Sequence, residues 1–166
     1  AIGKELRLRP MLQEFIKASI QHLNLSSAHI YLYCDDKNVP ISTKYSIKFD
    51  NLNHFLSIPM RTNKVLWQEI EPLNKASTTF SIDTEKYTSF EHGNHIVDLF
   101  RIPHHGVIAF ETQKGIDYIV KQALLPIFEK LSLACYSSLV HDSLLKEITT
   151  RQAAEAKIGF QIYNPN

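Results

Sequence analysis

Histidine side chains are the first candidates for chemistry in this sequence, because imidazole nitrogens bind metals and transfer protons. His92 and His95 stand three residues apart beside Glu91 in the segment EHGNH. On one continuous strand, positions three apart face opposite sides, so a shared metal ion would need a loop at this point. The spacing therefore favours histidines in a loop or at a strand entry over a metal or haem site.

A second histidine pair, His104–His105, lies in the segment PHHG. Proline and glycine favour a tight turn, in which adjacent side chains rarely point the same way. The two cysteines, Cys34 and Cys135, are far apart in the chain and have no metal-like spacing. They also offer no resolving pair for reductase chemistry. We predict no metal site and no cofactor, with a surface turn at PHHG and Cys34 as a small core residue.

Sequence signatures of catalysis are absent: GxSxG, HExxH, GxxxxGKS and GxGxxG do not occur. The five glycines are too scattered for a loop that cradles phosphate. Asp35 and Asp36 lie in DDKN, a typical solvated turn. We predict a domain with no catalysis of its own and no catalytic residue.

Composition restricts the partners. The net charge is +1 and the Lys and Arg residues are scattered, which gives no field for nucleic acid. No apolar run approaches the roughly 18 residues of a membrane span. The charged N-terminal sequence AIGKELRLRP does not resemble a signal peptide. We expect a cytoplasmic protein without nucleic-acid partners and without a membrane span in this segment.

Two amphipathic patterns predict the helices. Residues 4–24 carry apolar side chains at 3,4 spacing, with Pro10 in the first turn or at a kink and Asn24 at the end. A second helical pattern runs from Ile116 to about 158 and contains Pro126, so residues 117–125 form either a separate turn or a kinked first segment. Its apolar content fades after about Leu145, and Gly159 predicts the helix end.

Alternating apolar and polar residues predict the strands. Residues 28–34 alternate between an apolar face and a face with His29 and two tyrosines, and residues 42–49 alternate again, which suggests an antiparallel pair. Residues 93–112 predict a hairpin that turns at PHHG. The segment 50–92 is irregular, with a short strand at HFLSIPM, a helix at 62–71 and a strand at TTFSID.

The order of these elements resembles a GAF domain, the small-molecule-sensing module of bacterial signalling proteins. LRPMLQEFIKASIQHLNLSSAHIYLYCDD is similar to the family's first helix and strand, and HIVDLFRIPHHGVIAFET is similar to its late hairpin. The segment LPIFEKLSLACYSSLVHDSLLKEITTRQAAEAKI resembles its closing helix and signalling linker. The resemblance implies an α+β fold: an antiparallel sheet, both terminal helices on one face, and short helices or loops over the other.

The resemblance also implies a division of the chain and two functional surfaces. Residues 1–145 would be the sensor domain, and 146–166 a signalling-helix linker to a downstream output domain. A small-molecule ligand would be enclosed by side chains of the irregular middle and its neighbours: Tyr45, Trp67, Phe80, Tyr87, Phe90 and His95. A homodimer would form, together with the first helix, along one stripe of the closing helix: Leu131, Ala134, Ser138, His141, Leu145 and Ile148.

Other functions stay open at this point. The chain could be a dimerisation spacer without a ligand, in which the aromatic residues only fill a core. A PAS-like sensor would use a similar linker, but the long helix before the first strand favours the GAF resemblance. A haem-based gas sensor would be a variant of the GAF-like sensor. A sulfoxide reductase would need reactive cysteines.

Overall fold

The computed structural model describes residues 7–43, 52–59 and 86–163, with side chains up to residue 158. Helix α1 begins the described chain, five strands follow, and helix α2 closes it. The bounds are α1 Leu8–Leu23, β1 Ser27–Tyr33, β2 Leu52–Ile58, β3 Tyr87–His92, β4 His95–Ile102, β5 Gly106–Thr112 and α2 Tyr118–Tyr163. The fold is α+β, as predicted.

The five strands form one antiparallel sheet in the order β2-β1-β5-β4-β3. The short strand predicted at HFLSIPM is confirmed as β2. The pairing of residues 42–49 with the first strand stays a prediction; among the described residues, β2 and β5 pair with β1, and an isolated antiparallel bridge joins Cys34 to Pro40. Residues 44–49, the helix at 62–71 and the strand at TTFSID lie outside the described residues.

Both helices pack on one face of the sheet, which we call the helix face. Leu8, Leu12 and Ile16 of α1 are fully buried there, as their 3,4 spacing predicts. The centre is aromatic: the ring centroids of Phe100 on β4 and Phe128 on α2 are 4.9 Å apart. Each such buried side chain contributes about 1.5–3 kcal/mol to folding. This layer fixes α2 against the middle of the sheet.

Helix α1 ends as its sequence predicts. Asn24 adopts a left-handed conformation with φ of 55°, and its backbone N–H donates to the carbonyl oxygen of Ile20. Asparagine tolerates this conformation better than most residues, which makes it a suitable helix terminator. Pro10 lies in the first turn, where its missing N–H leaves no bond unmade.

Helix α2 is a single helix of 46 residues, about 69 Å long at 1.5 Å per residue. Pro126 lies inside it, so residues from Tyr118 onward are a first segment and not a separate turn. The predicted end at Gly159 is wrong, because the helix continues to Tyr163. Glycine weakens a helix interior by only about 1 kcal/mol, which is too little to terminate it. From Lys146 to Ile158 every side chain is exposed.

The predicted hairpin is confirmed as β4 and β5, with a turn at Pro103–His105. His104 has φ of 66° at the tip. Gly106 begins β5 where the backbone of β1 comes very close: a Cβ atom there would lie 2.0 Å from the carbonyl oxygen of Tyr31. Only glycine fits at this position.

Candidate functional site

The candidate site lies on the side of the sheet that points away from α1 and α2, which we call the far face. Alternation along β1 puts Ala28, Ile30 and Leu32 on the helix face. The far face therefore receives Ser27, His29 and two tyrosines, and all seven residues of β1 are buried. Burying polar side chains is unfavourable unless they are hydrogen-bonded, so their partners are informative.

A row of hydrogen bonds begins on the edge strand β2. His54 is exposed, and its Nε2 lies 2.6 Å from the hydroxyl oxygen of Ser57. That same hydroxyl lies 2.9 Å from Nδ1 of His29 on β1. Ser57 is 4% exposed and His29 is 1% exposed. One serine thus bridges an exposed imidazole and a buried one.

The row continues across β1 to β5 and ends at a carboxylate. Nε2 of His29 lies 2.8 Å from the hydroxyl of Ser27, which donates to Oε1 of Glu111 at 2.8 Å. Nδ1 of His92, at the end of β3, lies 3.0 Å from Oε2 of Glu111. We call these six residues the polar row: His54, Ser57, His29, Ser27, Glu111 and His92.

Apolar and aromatic side chains border the polar row on the far face. Val97, Leu99, Val107 and Ala109 form a second apolar cluster beside it. The ring of Tyr31 meets His54 edge-on at 5.8 Å between centroids. Burial raises the pKa of Tyr31. For His54, burial lowers the pKa, and Arg9 lowers it further. The surroundings thus favour the neutral forms of both rings.

A second polar cluster, centred on Asp98 of β4, lies on the helix face. Its carboxylate accepts hydrogen bonds from the ammonium of Lys121 at 2.9 Å, from the hydroxyl of Ser89, and from the backbone N–H of Ile116 at 2.9 Å. Asp98 is fully buried. Because Ile116 precedes α2 and Lys121 lies in its first turn, Asp98 fixes the start of that helix to the sheet.

The predicted ligand residues divide between the two faces. Phe90 packs on the far-face cluster, and His95 pairs with His92 across the β3–β4 hairpin. Tyr87 lies on the helix face, where its hydroxyl accepts a hydrogen bond from Gln122 at 3.0 Å. The remaining candidates, Tyr45, Trp67 and Phe80, lie outside the described residues.

The predicted dimer stripe turns partly toward the chain's own body. Leu131 and Ser138 are buried, Ala134, His141 and Leu145 are partly buried, and Ile148 is exposed. The side of α2 that points away from the sheet carries exposed apolar residues, which we call the outer stripe and which share Ile148 with the predicted stripe: Leu133, Val140, Leu144 and Ile148, exposed by 71%, 40%, 52% and 48%. The second face was not evident from periodicity, because the core-facing stripe has the stronger pattern.

The histidine and cysteine predictions have different outcomes. The turn at PHHG is confirmed and His104 is exposed, but the surface prediction is wrong for His105, which is buried beside Ser132 of α2. His92 ends β3 and His95 begins β4, so their predicted place in a loop or at a strand entry is confirmed, and the turn between them makes them cross-strand neighbours. No group of three or more metal-ligating side chains occurs in the described parts of the chain. Cys34 is half-buried, and burial raises the pKa of Cys135 to about 12.

The polar row was missed at the level of sequence. Its signal was present in the polar side chains Ser27 and His29 on a strand whose other face is apolar. Glu111 ends a strand that is otherwise apolar, VIAFE. Only the strand order shows that residues from distant segments meet.

Helix α2 has the length and composition to cross a membrane: an 18-residue window between Tyr118 and Ile158 has a mean hydropathy of 1.3. A third of that window, 33%, is buried in the chain, and Leu124 and Phe128 pack on the sheet. Core helices of globular domains have the same features, so this property is weak evidence for a membrane span.

No protein-family model matches the chain, and comparison with curated proteins returns no match.

Proposed function

We propose that this chain is a GAF-like sensory or regulatory domain of a cytoplasmic bacterial signalling protein, of the sensor histidine kinase or diguanylate cyclase type. In this proposal the domain is not an enzyme. A small molecule binds on the far face, and a homodimer of α2 relays the signal to an output domain in the same chain. The antiparallel sheet with both helices on one face supports the proposal, because it leaves the far face for a ligand.

The observation that carries the proposal is the end of α2. Lys146 to Tyr163 is 18 residues of helix, about 27 Å, and its described side chains are all exposed. An isolated helix of this length is only marginally stable in water. A second copy of the same helix would provide the missing contacts.

The outer stripe supports a second copy as the partner. Leu133, Val140, Leu144 and Ile148 recur at intervals of seven, four and four residues, so they follow one side of the helix. Their exposed side chains add up to roughly 350–400 Å² per protomer, of the order of half of what each partner buries in a standard interface. The projecting segment beyond Leu145 would supply the rest.

A groove beside the outer stripe adds contact area. It has a volume of about 490 Å³ and lies between the loop Val39–Ser42 and α2, where Tyr136, Val140 and Leu144 line it. A partner helix on the outer stripe could place side chains in this groove.

Analytical ultracentrifugation tests the dimer. We expect the wild-type chain to be dimeric, and Leu144→Glu to shift it to monomer by placing two buried charges in the seam. Ala134→Glu, on the predicted stripe, is the matched variant and should stay dimeric. A monomeric wild-type chain at high concentration would overturn the proposal, and a monomeric Ala134→Glu alone would move the seam to the predicted stripe.

Native mass spectrometry separates the sensor from the main alternative, a dimerisation spacer without ligand. A small molecule retained by the dimer, or a metabolite that raises the melting temperature, supports the sensor. A ligand-free dimer that no metabolite stabilises supports the spacer. A PAS-like sensor predicts the same results, so these measurements test only the assignment to a sensor class.

A further inference from the structure

We propose that the polar row is a proton relay, whose resting hydrogen bonds are aligned from the exposed His54 toward the buried Glu111 at the end of β5. The hydrogen-bond order of the relay stands independently of the proposed function. Its use as a signal to α2 rests on that function. With Glu111 ionised and His29 neutral, the direction of each hydrogen bond between members of the row follows from Glu111 outward.

The first step fixes the tautomer of His29. A serine hydroxyl has a single proton, and Ser27 donates it to Oε1 of Glu111 at 2.8 Å. The oxygen of Ser27 therefore accepts at its contact with His29, 2.8 Å away, and Nε2 of His29 must carry a hydrogen. In the neutral ring, Nδ1 is then an acceptor.

The second step extends the order to the edge of the sheet. Nδ1 of His29 accepts from Ser57, whose hydroxyl is 2.9 Å away. Since Ser57 has used its proton, its oxygen accepts from Nε2–H of His54 at 2.6 Å. Every donor between His54 and Glu111 thus points toward the carboxylate. Such aligned hydrogen bonds polarise and strengthen one another.

The relay moves one proton without leaving charge inside the row. Nδ1 of His54 takes a proton from a solvent hydronium ion, which leaves as water, and Nε2 of His54 passes its own to Ser57. Ser57 passes its proton to Nδ1 of His29, Nε2 of His29 passes one to Ser27, and Ser27 passes one to Oε1 of Glu111. The result is a neutral Glu111 carboxylic acid, with both imidazoles in the opposite tautomer and every hydroxyl reversed.

Glu111 is the physical end point of the relay. It is 2% exposed, and burial favours the neutral form of a carboxyl group. His92 faces it from β3 and stabilises the ionised form, so the two influences oppose each other. The other titratable or charged side chains on the described far face are Tyr31 and Tyr33 of β1, His95 and Arg101 of β4. Arg101 lies opposite Val107, about 13 Å along the sheet from Glu111.

The end of β5 connects Glu111 to the start of α2. The hydroxyl of Thr112, the next residue, accepts a hydrogen bond from the backbone N–H of Gly115 at 2.8 Å. The following residue, Ile116, donates to Asp98, which also binds Lys121 of α2. Neutralising Glu111 therefore changes the charge one residue away from the connection that holds α2.

Histidine ¹⁵N NMR on the wild-type chain tests the order directly. At pH of about 7.5, we expect His29 to carry hydrogen on Nε2 and none on Nδ1. Hydrogen on Nδ1 alone would overturn the relay. This measurement needs no variant, and neither a monomeric chain nor a missing ligand would affect it.

Infrared and hydrogen-exchange measurements test the transfer. On acidification, the infrared spectrum of the wild-type chain should show the stretch of a protonated carboxyl group, which Glu111→Gln should lack. The amide hydrogen exchange of residues 115–121, corrected for the effect of pH on the intrinsic exchange rate, should change as well. After a rapid drop in pH, both responses should develop more slowly in Ser57→Ala than in the wild-type chain, whereas Ser143→Ala, an exposed serine on α2, should keep the wild-type rates. Identical rates in Ser57→Ala and wild type would overturn the relay. If the carboxyl signal is present but the exchange of α2 does not change, the signalling role is overturned and the relay stands.

Discussion

Two buried carboxylates, Asp98 and Glu111, lie on neighbouring strands and face opposite sides of the sheet. Glu111 is paired with Val97, so Asp98 is one position further along β4. Asp98 binds the lysine and backbone that start α2, and Glu111 ends the polar row. A buried carboxylate is tolerated only when it is paired and hydrogen-bonded. Each of these residues therefore depends on the partners around it.

We expect Asp98→Ala to lower the free energy of unfolding by about 3–5 kcal/mol, because it removes the carboxylate partner of the partly buried Lys121 and the acceptor of the Ile116 backbone N–H. The control is Glu147→Ala, which removes the exposed pair with Arg151 and should change stability by less than about 0.5 kcal/mol. Urea unfolding monitored by circular dichroism measures both. Equal, small effects would contradict the role of Asp98 as an anchor.

His105 predicts a pH dependence of stability. Burial lowers its pKa, Pro103 partly offsets this by accepting its Nδ1 hydrogen, and His104 adds a further lowering. The native state therefore binds fewer protons than the unfolded chain. Its stability is complete above the unfolded pKa of about 6.5 and falls as pH drops below that value. His54 contributes in the same direction.

The test of this dependence compares His105→Asn with the wild-type chain, since asparagine keeps a donor near Pro103 but does not titrate. In urea unfolding, the free energy of unfolding should fall less steeply in the variant than in the wild-type chain as the pH drops from about 7.5 to about 5. Each unit by which the native pKa is lowered corresponds to about 1.4 kcal/mol. A steeper loss in the variant would show that the sign is wrong.

At the scale of elements, the β4–β5 hairpin depends on one close approach. Gly106→Ala would put a Cβ atom 2.0 Å from the carbonyl oxygen of Tyr31 and 2.9 Å from Cα of Leu32. We expect a loss of more than about 3 kcal/mol, because both contacts are with backbone in the middle of the sheet.

Gly93→Ala is the matched control for this hairpin prediction. Gly93 has φ of 60° at the β3–β4 turn, and a Cβ atom added there would meet no heavy atom within 4 Å. Only the left-handed conformation is then unfavourable, by about 1–2 kcal/mol. The melting temperature of Gly106→Ala should therefore be well below that of Gly93→Ala. The reverse order would contradict the close approach to β1.

Periodicity predicted the individual helices and strands better than it predicted which strands pair with one another. Helix α1, the β4–β5 hairpin and α2 follow from local spacing, because each has an apolar face that is buried between the sheet and the two helices. The pairing of β1 did not follow, since β2 joins it from beyond residues 44–51. The helix end at Gly159 also failed, because a single glycine weakens a helix by only about 1 kcal/mol.

At the scale of the whole molecule, the chain divides into a packed body and a projecting helix. A chain that stops after Leu145 should unfold as a monomer with the wild-type free energy, within about 0.5 kcal/mol, because the side chains of residues 146–158 are all exposed. Its dimer should be weaker by at least about tenfold, because Ile148 and Ile158 are lost.

Urea unfolding at low protein concentration and sedimentation at several concentrations measure these two effects of truncation separately. A monomer that loses more than about 2 kcal/mol would show that the removed segment packs on the body. An unchanged dimer constant would place the seam wholly within residues 118–145.

The site was harder to predict than the fold, because its residues come from four strands. Ser27 and His29 are close in sequence, but Ser57 and Glu111 reach them only through the strand order β2-β1-β5. The spacing of His92 and His95 predicted a loop or a strand entry, but only the β3–β4 turn shows that the two residues are cross-strand neighbours. Local patterns identify which face of a strand is polar, and only the assembled sheet shows what that face contacts.

The chain enters the body beside the point where α2 leaves it. The backbone N–H of Arg7, immediately before α1, donates to the carboxylate of Asp142 at 3.4 Å. A rigid module fused ahead of α1 would therefore press directly on the base of the projecting helix, without deforming the sheet. A force applied at Arg7 and a protonation change on the far face would then both act on α2, so several such domains could be connected in series.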